Sequence, residues 1–415
     1  MTLTRASVSH TQLRDEKRLV WLLGPAFVAA VAYVDPGNVA ANLSAGARYH
    51  YLLVWVLVVA NAMAALVQYL SAKLGLVTGR GLADLIGART PRAGRLLFWA
   101  QAEVVAAATD VAEVIGGAIA LHILFGVPLV AGGVVVSACS MAILAAQSRN
   151  RQRRFELVVV GLLVVITFGF VGGLAVSGPS LHGMLAGLVP RFDGSGSVLL
   201  AASMLGATVM PHAIYLHSTL AHDRHGSSRS PHRMRRLLRA TRWDVLLALA
   251  LTGSVNIALL LLAASSLPGV DGTGTISGAH HAIQQALGPA VGVIFAIGLL
   301  ASGLASTSVG CYAGATIMDG LLHVRVPLLV RRAITVVPAL VVLGLGVDPT
   351  WSLVLSQVVL SFGLPFALVP LAWFTSRRTI MGDFTNGACM EAVTVIVVVA
   401  IVALNVLLGY LTIAG

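Results

Sequence analysis

The sequence predicts an all-α polytopic membrane protein. Its plan is an inverted repeat of five plus five spans, one extra C-terminal transmembrane helix, and breaks in helices 1 and 6. Three observations predict this. Of 415 residues, 57% are hydrophobic and only 10% charged, against about 25% charged in soluble domains. Apolar runs of roughly 20 residues, enough to cross a ~30 Å hydrocarbon core, recur along the whole length. Two of these runs, five spans apart, carry a proline among polar residues at mid-depth: "VAYVDPGNVAANL" from Val31 and "LGATVMPHAIYLHSTL" from Leu205. The short alternating segments of a membrane β-barrel do not occur.

The elements follow in order. Residues 1–18 are polar and read as a cytoplasmic N-terminal tail; the apolar run behind them is too long for a signal-peptide core. Spans are expected at 19–47, 50–75, 95–122, 127–147 and 155–177, which form inverted repeat 1 (19–177). Inverted repeat 2 (198–374) holds spans at 198–222, 243–267, 290–319, 328–346 and 350–374, and an eleventh span covers 391–413. A short helix near His280 would fit ahead of span 8.

Positive loops stay cytoplasmic. With the N-terminus inside, every Lys and Arg of the 27 except Arg48 and Arg191 falls on the inner side, and the C-terminus lies outside. The net charge of +11 is thus a topology signal, and the basic loop 223–242 is read as inner surface, not as a nucleic-acid site. Cys139, Cys311 and Cys389 are scattered without a CxxC pair, so neither a disulfide framework nor a zinc site is inferred.

Five is an odd number of spans, so a tandem repeat of that unit inserts the second time upside down. Broken helices at matching places in two halves point to a transporter's central site. Proline lacks an N–H and clashes with the carbonyl four residues back; for Pro36 and Pro211 those carbonyls belong to Ala32 and Ala207. Bare backbone costs several kcal/mol in hydrocarbon, and these oxygens sit at negative ends of half-helices, which attract a cation. Asp35 adds a carboxylate, Asn38 an amide oxygen and Met210 a thioether. One acid, neutral oxygens and one soft sulfur suit Mn²⁺ or Fe²⁺ better than Mg²⁺ or Ca²⁺. Taken singly, a kink is commonplace in a membrane helix and a methionine is core filler. An intramembrane acid is a functional candidate by default, and two matched breaks carrying donors strengthen it.

With DPGN in span 1 and MPH in span 6, the chain resembles the Nramp (natural-resistance-associated macrophage protein) family of proton-coupled divalent metal transporters, which has a bacterial branch of manganese transporters. "DVAEVIG" (Asp110–Gly116), "ASGLASTSVGCYAGATIMDGLL" (Ala301–Leu322) and "SQVVLSFGLPFALVPL" (Ser356–Leu371) extend the resemblance from Trp21 to about Leu371. It implies that Asp35, Asn38 and Met210, with the carbonyls of Ala32 and Ala207, bind the metal, and that Gln357 reaches the ion in an occluded state. One departure is Ala315, where the family often has glutamine; the five proposed ligands are intact.

Span 3 carries Glu103, Asp110 and Glu113. Positions 103 and 110 share a helix face, with 113 three residues further on, and three acids cannot face lipid cheaply. Arg331 and Arg332 at the start of span 9 are their natural counter-charges. A purely structural ion-pair network is the plain reading; the resemblance implies that Asp110, Glu113, Arg331 and Arg332 carry the coupled proton. His212, beside Met210, is placed to sense or pass protons. His217 lies five residues on and points elsewhere, and His222 and His225 are read as loop residues. At Asp35 a low dielectric favours the neutral acid and a dication favours the carboxylate, so metal arrival would expel a proton.

The expected function is proton-coupled import of divalent transition metals (Mn²⁺, with Fe²⁺, Cd²⁺ and Co²⁺) by a LeuT-like transporter in a bacterial plasma membrane. Its partners are the metal ion, protons and lipid, with no prosthetic group, no nucleic acid and no obligate protein partner. The alternative is a LeuT-type Na⁺-coupled symporter of a small organic substrate, against which Met210 argues. HExxH, GxSxG and P-loop motifs are absent, which speaks against an enzyme or a primary pump.

Overall fold

The computed structural model describes residues 24–146, 152–226, 230–267, 275–324 and 326–414. The tail 1–18, the first residues of span 1, and Arg149, Arg151, Arg229 and Arg325 lie outside the described residues.

Among the described residues the elements are helical. Span 1 is α1 (Pro25–Ala30), a 3₁₀ turn (Val31–Val34) and α2 (Pro36–Tyr49). Then come α3 (Val54–Thr78), a short α4 (Leu82–Arg89), α5 (Arg92–Phe125), α6 (Leu129–Ala146), α7 (Gln152–Ser177) and a short α8 (Leu181–Ala186). Span 6 is α9 (Gly194–Thr208) and α10 (Pro211–His225). The chain continues with α11 (Pro231–Ser266), α12 (Ile276–Leu287), α13 (Pro289–Leu322), α14 (Leu328–Thr335), α15 (Val337–Gly344), α16 (Pro349–Thr375), α17 (Arg378–Met381) and α18 (Ala388–Ala414). Seven described helices are long and apolar enough to cross a membrane, with shorter apolar helices at Pro25–Val34, Leu129–Ile143 and Gly161–Leu174. The helix expected near His280 is α12.

Three differences from the sequence reading have local causes. Span 7 begins at Pro231, so most of the basic loop 223–242 is helix, and His222 and His225 close α10 instead of lying in a loop. Met234, Leu237, Leu238 and Thr241 are buried while Arg235, Arg239 and Arg242 are exposed, an amphipathic pattern that a search for apolar runs passes over. Span 9 is two helices, α14 and α15, joined at Val336; Pro338 cannot extend the helix before it. Span 2 starts late because tight turns occupy the preceding residues, with the Leu52 and Val54 amides donating to the Tyr49 and Tyr51 carbonyls.

Spans 1 and 6 run antiparallel. The first half of one packs on the second half of the other, α1 with α10 and α2 with α9. The two halves also divide between two apolar clusters. Val39, Leu43, Leu200 and Met204 belong to one; Ala26, Ala30, Ile214 and Leu216 belong to the other, with Leu82 and Ile86 of arginine-flanked α4. The breaks lie where the clusters meet. Around them α5 packs along α13, α11 along α2, and α16 against both α5 and α9.

Candidate metal site

The break in span 1 is made by its own residues. Asp35 is extended (φ −72°, ψ 167°) and caps α2, its carboxylate accepting from the Asn38 amide N–H at 2.7 Å; Pro36 takes the first helical position, where a missing N–H costs nothing. In span 6 Val209 and Met210 leave the helix (ψ 74° and 125°), and Pro211 starts α10. Two carbonyls of the span-1 link are met by side chains from other spans: Asn256 Nδ2 donates to Tyr33 at 2.8 Å, and Ser302 Oγ donates to Val34. No described side chain donates to the Ala32 carbonyl.

Asp35, Asn38, Ala207 and Gln357 form one hydrogen-bonded set. Asn38 Nδ2 donates to Asp35 Oδ1 at 2.8 Å and to the Ala207 carbonyl at 3.0 Å. Gln357 Nε2 donates to Asp35 Oδ2 at 3.2 Å. The Ala207 carbonyl, expected to be bare, is therefore held by Asn38 in this closed arrangement. The amide oxygens of Asn38 and Gln357 are buried and have no hydrogen-bond partner. Met210 is fully buried in the extended link three residues beyond Ala207, and Ala32 is buried in the 3₁₀ turn. All six residues are at most 1% exposed, so the set is sealed from solvent.

Close approach makes this possible. A Cβ on Gly37 would run into the Gln357 side-chain amide, and one on Gly206 into the Gln357 carbonyl. Gly116 of α5 lies against the Pro36 ring, where a Cβ would again collide. Spans 1, 3, 6 and 10 meet at the break because these three positions lack side chains.

The acids of span 3 find the arginines of span 9. Arg331 makes a bidentate bridge to Glu103 at 2.6 and 3.0 Å. Fully buried Arg332 pairs with Asp110 and lies 3.7 Å from Glu113 Oε2; Ser140 and Thr307 accept from it at 3.2 and 3.4 Å. Both Glu113 oxygens lack a hydrogen bond. His212 is buried and its Nδ1 has no hydrogen-bond partner.

His217 turns to a different set. Its Nδ1 meets Gln68 Oε1 at 2.7 Å, and Gln68 Nε2 donates to the Tyr33 hydroxyl. Asn42 Nδ2 donates to Asn256 Oδ1 at 3.0 Å. Tyr33, Gln68, Asn42 and Asn256 brace the break, and none was singled out from the sequence; their one signal there is an amide or hydroxyl amid apolar residues.

Two antiparallel broken helices bringing an acid and two unpartnered amide oxygens together are the decisive feature, and comparison with known proteins agrees with it. The profile described as "Natural resistance-associated macrophage protein-like" (Nramp) matches residues 26–411. The chain belongs to the Nramp family. The divalent metal cation transporter MntH of Mycobacterium tuberculosis is 59% identical over 395 residues, covering 95% of this chain and 92% of that protein. A crystal structure of the Eremococcus coleocola manganese transporter superposes with a TM-score of 0.84 at 29% identity, covering 97% of this chain and 88% of that one. MhsT in complex with L-phenylalanine, 16% identical, shares the fold alone (TM-score 0.57, covering 92% and 98%). This Nramp chain is a multi-pass membrane transporter with the LeuT-like architecture, and it is not an enzyme.

Proposed function

We propose that the chain imports divalent transition-metal ions, Mn²⁺ foremost with Fe²⁺, Cd²⁺ and Co²⁺ as related substrates, together with protons, by alternating access. The observation that carries the reading is the sealed set of Asp35, Asn38 and Gln357 at the paired breaks, with two buried amide oxygens lacking partners. In the closed arrangement both amides aim N–H₂ at the acid. A dication replaces those donors: each amide turns its oxygen inward, Asp35 supplies the carboxylate, Met210 the sulfur, and the Ala32 and Ala207 carbonyls complete the shell.

Asp110 and Glu113, held by Arg332, and His212, two residues past Met210, are the proposed proton carriers, with Arg331 and Arg332 as the counter-charges of span 3. The halves 19–177 and 198–374 act as the inverted repeats, with spans 1 and 6 moving as a bundle against the rest. The setting is a bacterial plasma membrane, tail inside and C-terminus outside. The organic-substrate alternative gains no support here, because spans 1, 6 and 10 close to contact around the acid. The test is uptake into proteoliposomes under an imposed pH gradient with competing divalent ions. Mn²⁺ uptake driven by inward protons is the expected result; uptake driven only by Na⁺ overturns the reading.

A further inference from the structure

At the arginine-rich end of the molecule a recess of about 340 Å³ lies between the first turns of α11 and the segment after α17. Arg235, Arg239 and Arg242 line it with Tyr69, Asp383 and Phe384. Steps of four and three residues put the three arginines on one helix face. None of them has a hydrogen-bond or ion-pair partner among the described residues. One carboxylate, Asp383, stands against three guanidiniums, so the recess keeps a positive excess. Its floor is apolar, formed by Leu238 and Phe384 over a small cluster with Leu237 and Met234.

The same face continues into the hydrocarbon. One further step of four reaches Leu246, 41% exposed, and Trp243 beside Arg242 is 52% exposed, a typical residue for the membrane–water boundary. A ligand held by the arginines thus has an apolar track running from it along α11. We propose that this recess binds the phosphate headgroup of an anionic phospholipid from the leaflet facing the arginine-rich end, with an acyl chain lying along Leu246. Guanidinium forks suit phosphate oxygens, and basic recesses between membrane helices are a recurring headgroup site. The exposed apolar track favours a lipid over free phosphate, which has nothing to place there. The site lies on the helix that holds the first half of span 1: Asp244, two residues past Arg242, accepts from the Gly24 and Ala26 amides at 3.0 and 2.9 Å.

The test measures binding, apart from transport. Purified full-length protein in a zwitterionic detergent is titrated with phosphatidylglycerol, phosphatidylcholine, glycerol phosphate or inorganic phosphate, and bound lipid is counted by native mass spectrometry. The expected result is saturable phosphatidylglycerol binding that weakens about fivefold per arginine removed, the equivalent of about 1 kcal/mol each, and most in Arg235→Gln/Arg239→Gln/Arg242→Gln. A control triple, Arg80→Gln/Arg89→Gln/Arg92→Gln, removes equal charge elsewhere on this end and should bind like the parent. Arg239→Gln alone is read the same way if the triple variant does not purify. Unchanged affinity in the recess variants, or an equal loss in the control, overturns the site. Soluble phosphate binding as tightly as the lipid overturns the lipid assignment.

Discussion

Asp35 carries two tasks that a substitution can separate. Its carboxylate caps α2 through the Asn38 amide and is the one formal charge of the hydrogen-bonded set. Asparagine caps a helix about as well as aspartate, so Asp35→Asn keeps the break and removes the charge. It is expected to purify as a folded protein and to lose at least roughly tenfold of its Mn²⁺ uptake, since one unit of favourable interaction with a dication in a sealed site exceeds about 1.4 kcal/mol. Asp35→Ala also removes the cap, a cost of about 1 kcal/mol, and should abolish tracer uptake without unfolding. Substantial uptake by either variant counts against Asp35 as a ligand. Met210→Ala removes the soft donor of the proposed ligand set; weaker Mn²⁺ uptake with more entry of Ca²⁺ or Mg²⁺ is expected in competition assays, and unchanged selectivity counts against the thioether. These residues were legible in the sequence because acids, amides and prolines are expensive in hydrocarbon and stand out there. Gln68, Asn256 and Tyr33 were not, because a lone polar group in a span does not reveal which distant span will satisfy it.

At the scale of elements, the buried bridge between α5 and α14 is a lock with a charge inside it. Arg332 has no exposure and pairs with Asp110 within reach of Glu113. Removing one partner of a buried pair leaves an uncompensated charge and costs about 3–5 kcal/mol, so Arg332→Ala should lower the unfolding temperature sharply in detergent. Asp110→Asn and Glu113→Gln keep shape while removing charge. They are expected to alter proton flux or the pH dependence of uptake more than metal affinity, measured by a pH-sensitive dye beside metal titration; a collapse of affinity with intact proton flux would mean that these acids serve the metal. Packing at the break gives a third expectation. A methyl group on Gly116 meets the Pro36 ring, and overpacking costs typically 1–3 kcal/mol. Gly116→Ala should therefore destabilise the protein or slow uptake, although no donor is touched. Pairing of span 3 with span 9 was legible from opposite charges in two apolar spans. The break of span 9 at Val336 and the extension of α11 from Pro231 were not, because each departs from the apolar periodicity that marks a span.

For the whole molecule, the distribution of arginine predicts an orientation that labelling can read. A single cysteine introduced at Arg236 on the basic face of α11, with Cys139, Cys311 and Cys389 replaced by serine, should react with an impermeant reagent only from the cytoplasmic side. Reaction from outside reverses the topology. The sequence by itself determined the membrane setting, the two breaks and the residue types gathered at them. These depend on local composition and on proline's missing N–H, which act wherever the residue sits. Only the tertiary structure decided which donors meet. It set Gln357 against Asp35, turned Asn38 onto the Ala207 carbonyl, and gave Arg331 to Glu103 but Arg332 to Asp110. Such contacts join residues hundreds of positions apart, and close packing of whole helices selects them, through glycines such as Gly37 and Gly116 whose role is to be absent from the space between.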